Sequence, residues 1–519
     1  MRRICVSVLL IIAMLISLAS CAAKDAMNDM SMAPGDVYYE GILTNQDVTS
    51  GVTPGGNVGE VDDGIEDGYG KFIENAFIPT EKENVSTFSA DVDTASYTYF
   101  RKLVNQGYSL SELIATAGSS IRTEEMINYF DYNYPSPKDG ELFSTTVEVA
   151  PCPWNEDAQL LVLGLQAKYI ELAAKNNLVF LIDVSGSMQS KDKLELLKKA
   201  FSHLVDKLGE DDTVSIVTYS GKEEVVLEGC SGSKKDKILR AVKSLNAKGS
   251  TNGEAGLKKA YQIAEEYYIA DGNNRIILAS DGDLNVGISS ADELKKFVEE
   301  KRNGGVFLSV LGFGTGNYKD TKMETIADCG NGVYYYIDSE TEAEKVFGAE
   351  IFSTLYTVAK DVKLQLTFNP EYIESYRLVG YENRLLNKED FADDTKDAGE
   401  LGAGHSVTVC YELILADTEK PNNEAFIELD VRYKAPDGDK SSLEEYSFGS
   451  EVLTNAPSDN FKFITAVIET SMIIHESEYI GDITLENIKS ELNAIPLSSD
   501  EYKEQFRSLI ADFINNNKR

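Results

Sequence analysis

The segment Leu178-Val179-Phe180-Leu181-Ile182-Asp183 is an unbroken apolar run closed by a carboxylate. A strand that is apolar on both faces needs cover on both, which places it in a sheet sandwiched between helices. The following sequence supplies that cover. Leu194, Leu197, Phe201, Leu204 and Leu208 recur at helical spacing. Residues 214–217, 225–227, 275–279, 306–311 and 333–337 read as strands, and 255–268 and 291–302 as helices. This alternation predicts an α/β unit with a Rossmann-like, doubly wound, mostly parallel sheet. Such sheets bind ligands beyond the carboxyl ends of their strands, where the strand order switches.

The residues at those ends are polar in a recognisable pattern. The first strand runs into Asp183-Val184-Ser185-Gly186-Ser187-Met188, a middle loop carries Gly249-Ser250-Thr251-Asn252, and the strand over 275–279 ends in Ser280-Asp281-Gly282-Asp283. Each piece alone recurs by chance, and Ser, Asp and Gly also serve ordinary helix caps and turns. Together at the tops of the right strands they resemble the metal-ion-dependent adhesion site (MIDAS) of the von Willebrand factor type A (VWA) domain. Asp183, Ser185, Ser187, Thr251 and Asp281 match its five positions. The resemblance implies a divalent cation, with Mg²⁺ leading and Mn²⁺ or Ca²⁺ as alternatives, because the donors are all oxygens. It also implies that Asp183 and Asp281 act mainly through bound water while the hydroxyls ligate directly. An ion touched by few charges stays electrophilic, so the expected partner is a protein offering an acidic side chain. Asp283 and Asn285 are placed to shape the surroundings of those ligands rather than to join them.

Catalysis finds no support. A serine hydrolase needs a base beside its nucleophile, and only His203, His405 and His475 exist. None is placed by sequence near Ser185, whose neighbours also depart from G-x-S-x-G. The run Gly312-Phe313-Gly314-Thr315-Gly316 lacks the Gly-Lys-Ser/Thr of a phosphate loop and reads as a loop of the type A fold. The chain is read as a non-enzyme, with a serine hydrolase as a remote alternative.

Charge narrows the partners. Among 519 residues, 86 Asp+Glu against 49 Lys+Arg leave a formal charge of −37. That balance argues against nucleic acid and against adsorption to anionic lipid through a basic patch. Membrane contact has another source. Arg2 and Arg3 precede an apolar run over 6–18, then Leu18-Ala19-Ser20-Cys21. This is a secretory leader whose last residues resemble a bacterial lipobox, which implies that Cys21 becomes the lipidated first residue. The expected location is a cell membrane, lipid-anchored, on the extracellular face or in the periplasm. Cys152, Cys230, Cys329 and Cys410 are widely spaced without C-x-x-C, so buried free thiols are expected.

The flanks complete the organisation. Residues 99–106 and 121–130 read as helices, the second started by Thr123 with Met126, Ile127 and Phe130 on its apolar face. Asp91 and Asp93 before them read as turn and capping residues. Runs at 145–149, 160–165, 362–368, 407–411 and 427–431 alternate with period two, as antiparallel strands do. They predict one β-sandwich built from both sides of the α/β unit, inserted between its strands. Residues 461–474, 484–493 and 500–515 read as helices, with Phe461, Ile464, Val467, Ile468 and Met472 as a packing stripe.

From about Asn84 to its end the chain resembles bacterial YfbK-like type A domain proteins and, more loosely, inter-α-trypsin inhibitor heavy chains. The expected divisions are a lipoprotein signal peptide (1–20), an acidic flexible tether (21–82), an N-terminal helical region (83–140), the first part of the sandwich (141–175), the VWA domain (176–358), the second part of the sandwich (359–455) and a C-terminal helical region (456–519). The expected function is metal-dependent protein binding or adhesion at a membrane surface. An envelope scaffold that binds no ligand through metal is the alternative.

Overall fold

The computed structural model describes residues 73–518, apart from 170–174, 251–252, 271, 283–290, 315–319, 350–355, 419–424 and 437. The chain begins with β1 (Ile78–Pro79), β2 (Val85–Ser89) and helices α1 (Ala95–Asn105), α2 (Leu110–Ala117) and α3 (Thr123–Asn128), then β3 (Phe143–Pro151) and β4 (Ala158–Ala167). The α/β unit follows with β5 (Asn176–Asp183), α4 (Leu194–Lys207), β6 (Thr213–Tyr219), β7 (Glu223–Ser231), α5 (Lys235–Lys243) and α6 (Gly253–Glu266). It continues through β8 (Asn273–Ser280), α7 (Ala291–Asn303), β9 (Phe307–Phe313), α8 (Asp320–Cys329), β10 (Tyr334–Ile337) and α9 (Glu340–Glu344). Then come β11 (Thr357–Phe368), β12 (Ile373–Val379), β13 (Gly399–Gly402), β14 (Ser406–Leu415), β15 (Ile427–Lys434) and β16 (Ser441–Phe448). Helices α10 (Asp459–Ile474), α11 (Leu485–Ala494) and α12 (Glu501–Asn516) end the described chain.

The central sheet has the order β10-β9-β8-β5-β6-β7, parallel except for β7. Every residue of β5 is buried, as its continuous apolar run requires. Val179 and Leu181 pack into one core with Leu257, Ala260 and Ile263 of α6. Leu178, Phe180 and Ile182 pack into the other with Leu197, Phe201 and Leu204 of α4. Phe180 meets Phe201 edge-on at 4.3 Å between ring centroids. Burying each such side chain contributes about 1.5–3 kcal/mol, so this strand anchors the unit. The chain leaves β5 for β6 on one side, and β8 returns on the other. The carboxyl ends of β5 and β8 therefore flank the switch point of the sheet.

The remaining strands form two sheets, β1-β12-β14-β4-β3 and β13-β11-β15-β16, with β2 also pairing with β11. Strands from before and after the α/β unit pair directly, Ala158–Gln166 of β4 lying antiparallel to Ser406–Ile414 of β14. The sheets pack face to face through Phe368, whose ring stacks on Tyr376 at 4.2 Å and meets Tyr411 at 5.2 Å. Ile78 and Pro79 correct the expected extent of the tether: they pair with Tyr376 and Ser375, and Thr80 donates to the Ile373 carbonyl at 2.6 Å.

Helices from both ends of the chain share one core, in which Phe130, Phe463 and Phe506 meet edge-on within 4.8–5.6 Å. The stripe on α10 is packing, and all five of its residues are buried. Four helices, α2, α5, α8 and α9, were not expected. Thr123 does not cap α3; Arg122 holds that position, and the Thr123 hydroxyl shares a 2.8 Å hydrogen bond with Ser471 of α10. The four cysteines are free thiols, but Cys329 is only half-buried. Among the described residues no helix is long and apolar enough to cross a membrane.

Candidate metal centre

Asp183 ends β5 with its side chain fully buried. Its Oδ1 accepts the Ser185 amide at 2.8 Å, which folds the chain back over the strand end. Its Oδ2 accepts the Ser280 hydroxyl at 3.4 Å, tying the end of β5 to that of β8. The Ser185 and Ser187 hydroxyls then lie 2.9 Å apart. Gly186 donates to the Gly249 carbonyl at 2.9 Å, and Lys248 donates to that of Val184 at 2.7 Å. These bonds stitch the middle loop to the first one. Gly249 has φ +86° and Gly282 φ +91°, a region that favours glycine, so both loop reversals need that residue.

Asp183, Ser185 and Asp281 are buried, whereas Ser187, Gly249 and Ser250 are exposed. The cluster therefore has a closed floor and one side open to solvent. Burial pushes the Asp183 carboxyl up to about 6, against the lowering effect of the Ser185 hydrogen bonds, and the Asp281 charge adds to the rise. The Tyr219 side chain is buried in the same wall, beside Asp183 and Ser280. Burial first, then the Asp183 charge, holds it well above the usual tyrosine range.

The structure thus brings Asp183, Ser185, Ser187 and Asp281 to one crevice. Thr251, Asp283 and Asn285 lie outside the described residues, as does Cys21. One residue was missed. The Lys193 ammonium, at the start of α4, donates to Asp281 Oδ2 at 2.9 Å and to the Ser187 carbonyl at 3.1 Å. Its stem runs past Gly314, where an added Cβ would lie 2.0 Å from the Lys193 Cε. The signal in the sequence was a lysine between a serine loop and an apolar helix.

Among the described residues no group of three or more His, Cys, Asp or Glu side chains is arranged to hold a metal. The crevice offers two carboxylates, two hydroxyls and a carbonyl instead, an all-oxygen set suited to a hard cation. The Lys193 ammonium is a stand-in cation for two of these oxygens, Asp281 Oδ2 and the Ser187 carbonyl.

Ser185 bonds to Ser187, not to a base. His475 Nε2 is 2.7 Å from the Ile121 carbonyl, His405 Nδ1 accepts the Gly402 amide at 3.3 Å, and His203 lies along α4. Asp91 does form a turn, accepting the Asp93 amide at 3.0 Å, but Asp93 caps no helix of its own. It accepts the amide of Tyr334 in β10 at 2.8 Å, and so ties the N-terminal segment to the central sheet.

Family models match along the chain: "von Willebrand factor" at residues 64–162, "von Willebrand factor type A domain" at 177–349, and "Uncharacterized protein YfbK, C-terminal" at 353–514. The uncharacterized protein YfbK of Escherichia coli (strain K12) is 40% identical over 449 residues, spanning 81% of this chain and 76% of that protein. The chain belongs to the YfbK family. In this YfbK-family chain the crevice lies wholly within the VWA match, whose fold agrees with the observed strand order. Human inter-alpha-trypsin inhibitor heavy chain H3 is 28% identical over 265 residues, 48% of this chain but 29% of that one. Among solved structures, a von Willebrand factor type A protein from Catenulispora acidiphila has 16% identity and a TM-score of 0.38, over 75% of this chain and 89% of that one.

Proposed function

We propose that the chain is a lipid-anchored surface protein whose VWA domain holds a divalent ion at a MIDAS and binds a protein partner through it. The observation that supports this reading is the grouping of Asp183, Ser185, Ser187 and Asp281 at the switch point, where the Lys193 ammonium bonds Asp281 and the Ser187 carbonyl. Asp183, Ser185, Ser187, Thr251 and Asp281 would hold Mg²⁺, or Mn²⁺ or Ca²⁺ in its place. The bound ion supplies an electrophilic position for a partner carboxylate. This chain's own residues orient the donors, seal the floor of the crevice and leave the Ser187 side open. Acylation of Cys21 would fix the domain to a cell membrane outside the cytoplasm, and stable anchoring takes more than one acyl chain.

Titration calorimetry with Mg²⁺ and Mn²⁺ tests the metal. Saturable binding that Asp183→Ala abolishes is expected, and no binding by the native chain would refute it. Partner capture from envelope proteins should be lost with EDTA and restored by Mg²⁺. Mass spectrometry of the native N-terminus tests the anchor, with a diacyl or triacyl cysteine at position 21 expected.

A second reading is an envelope scaffold that binds nothing through metal. It is favoured by one observation, the Lys193–Asp281 ion pair, which already neutralises one of the two carboxylates. Capture that is indifferent to EDTA would support it.

A further inference from the structure

Lys193 is unusual for a lysine at the first turn of a helix, because it points inward. It is 9% exposed, and its ammonium reaches the 1%-exposed Asp281 and the Ser187 carbonyl. Two features of the fold hold it there. Gly314, with φ +78°, leaves room for its stem where any larger residue would collide with it. The preceding residue, Asp192, is held from outside by Lys102 of α1 at 3.2 Å. Lys102 in turn lies over the Tyr336 ring, and the Tyr336 hydroxyl donates to the Gly314 carbonyl. The lysine is thus guided from both sides into the oxygen cluster.

We infer that Lys193 is a tethered counter-cation of the metal centre: it occupies part of the cluster when no ion is bound and competes with a divalent ion for Asp281. The inference rests on the metal-binding reading above. The physical reasoning is direct. A buried carboxylate without a cation is strongly unfavourable, and two buried carboxylates in one crevice repel each other. A tethered ammonium relieves that repulsion without ligand and keeps the Ser187 turn in the receptive shape. The same charge opposes the arrival of a divalent ion, and Asp281 cannot serve both fully at once. Metal affinity is then set below what the oxygen donors alone would give, and the site empties and refills without collapse.

The test uses the full chain in detergent, with Mn²⁺ binding followed by electron paramagnetic resonance and melting temperature followed with and without metal. Lys193→Met removes the charge and keeps most of the stem. Lys193→Gln keeps a donor for the Ser187 carbonyl and guards against a folding failure. Both should bind Mn²⁺ about tenfold tighter or more, since one positive charge has left the vicinity of a divalent ion in a partly buried site. Both should also melt lower than the native chain without metal, with the difference narrowing at saturating Mn²⁺. Lys191→Met is the control for overall charge, because Lys191 is exposed two residues away. Its affinity should change less than about threefold at physiological salt, where solvent and ions screen an exposed charge.

The outcomes separate. Tighter binding by both Lys193 variants supports the inference, as does binding by the variants alone. Native binding with unchanged or weaker binding in both variants overturns the inference and leaves the metal reading intact. An equal gain from Lys191→Met also overturns it. Absence of binding in all four proteins overturns both.

Discussion

The Arg384 guanidinium lies 3.1 Å from the Asp91 carboxylate, joining segments 293 residues apart. The same guanidinium reaches Asp93 at 3.5 Å, Glu324 at 3.1 Å and Asp328 at 3.0 Å. It therefore links the N-terminal segment, helix α8 of the VWA domain and the loop after β12. Burial pushes the Asp93 carboxyl well above its usual range, with the neighbouring Asp91 and Asp328 charges adding to it.

Arg384→Met should therefore destabilise the chain by about 3–5 kcal/mol, the range for removing one member of a buried ion pair. Asp328→Asn, at a carboxylate side chain 41% exposed, should change stability by less than about 1 kcal/mol. Chemical denaturation of both variants at neutral pH checks the contrast.

His475 sets an acid limit. Burial pushes its imidazole down to about 4, while its hydrogen bond to the Ile121 carbonyl works the other way. Between about 6.5 and 4 the unfolded chain takes up a proton that the folded chain refuses, so stability falls as pH drops through that window. The full effect is about 3 kcal/mol. His475→Gln, which does not titrate, should flatten the stability profile between pH 6.5 and 4.

Glu469 has the opposite sign. It is buried in α10, and burial pushes it up to about 9, with the charge of Glu491 and a hydrogen bond to that side chain adding to the rise. A carboxyl whose folded pKa is raised gives its full stability below the unfolded value near 4.5 and loses it as pH rises toward 9. Glu469→Gln should therefore stabilise the chain by about 1–3 kcal/mol at pH 7 and by almost nothing at pH 4. Melting temperatures at the two pH values read this directly.

Backbone crowding provides a fourth prediction. A Cβ at Gly332 would lie 1.9 Å from the Leu308 carbonyl oxygen, a backbone atom that has nowhere to move within β9. Gly332→Ala should lower stability by about 1–3 kcal/mol, as overpacking does. Gly140→Ala, where a Cβ would meet nothing within 4 Å, controls for crowding, although its φ of +95° carries backbone strain of its own.

The parts of the fold legible in the sequence were those whose signal is local. The apolar run over 178–182 gave away a buried strand, and Asp183-x-Ser185-x-Ser187 is contiguous, so its convergence follows from one tight turn. Period-two runs revealed the sandwich strands for the same reason. The parts that were hidden depend on distant partners. Ile78 and Pro79 become a strand only because β12 offers them an edge. Asp93 finds its role 241 residues away at the Tyr334 amide. Lys193 turns inward because Gly314, on a different strand end, leaves room, and no spacing rule announces that. Helices α2, α5 and α8 are short or strongly polar, so their apolar faces are too narrow to stand out.

The pairing of β4 with β14, strands on either side of the α/β unit, has a consequence for processing. The VWA domain is joined to the sandwich by two chain crossings, one on the way in from β4 and one on the way out to β11. A single backbone scission in either crossing leaves the domain hanging by the other, while the nicked sandwich is still zipped by its own hydrogen bonds. Separating the domain from the sandwich therefore takes two cuts, and a protease that makes only one of them produces two polypeptides that still travel as one particle.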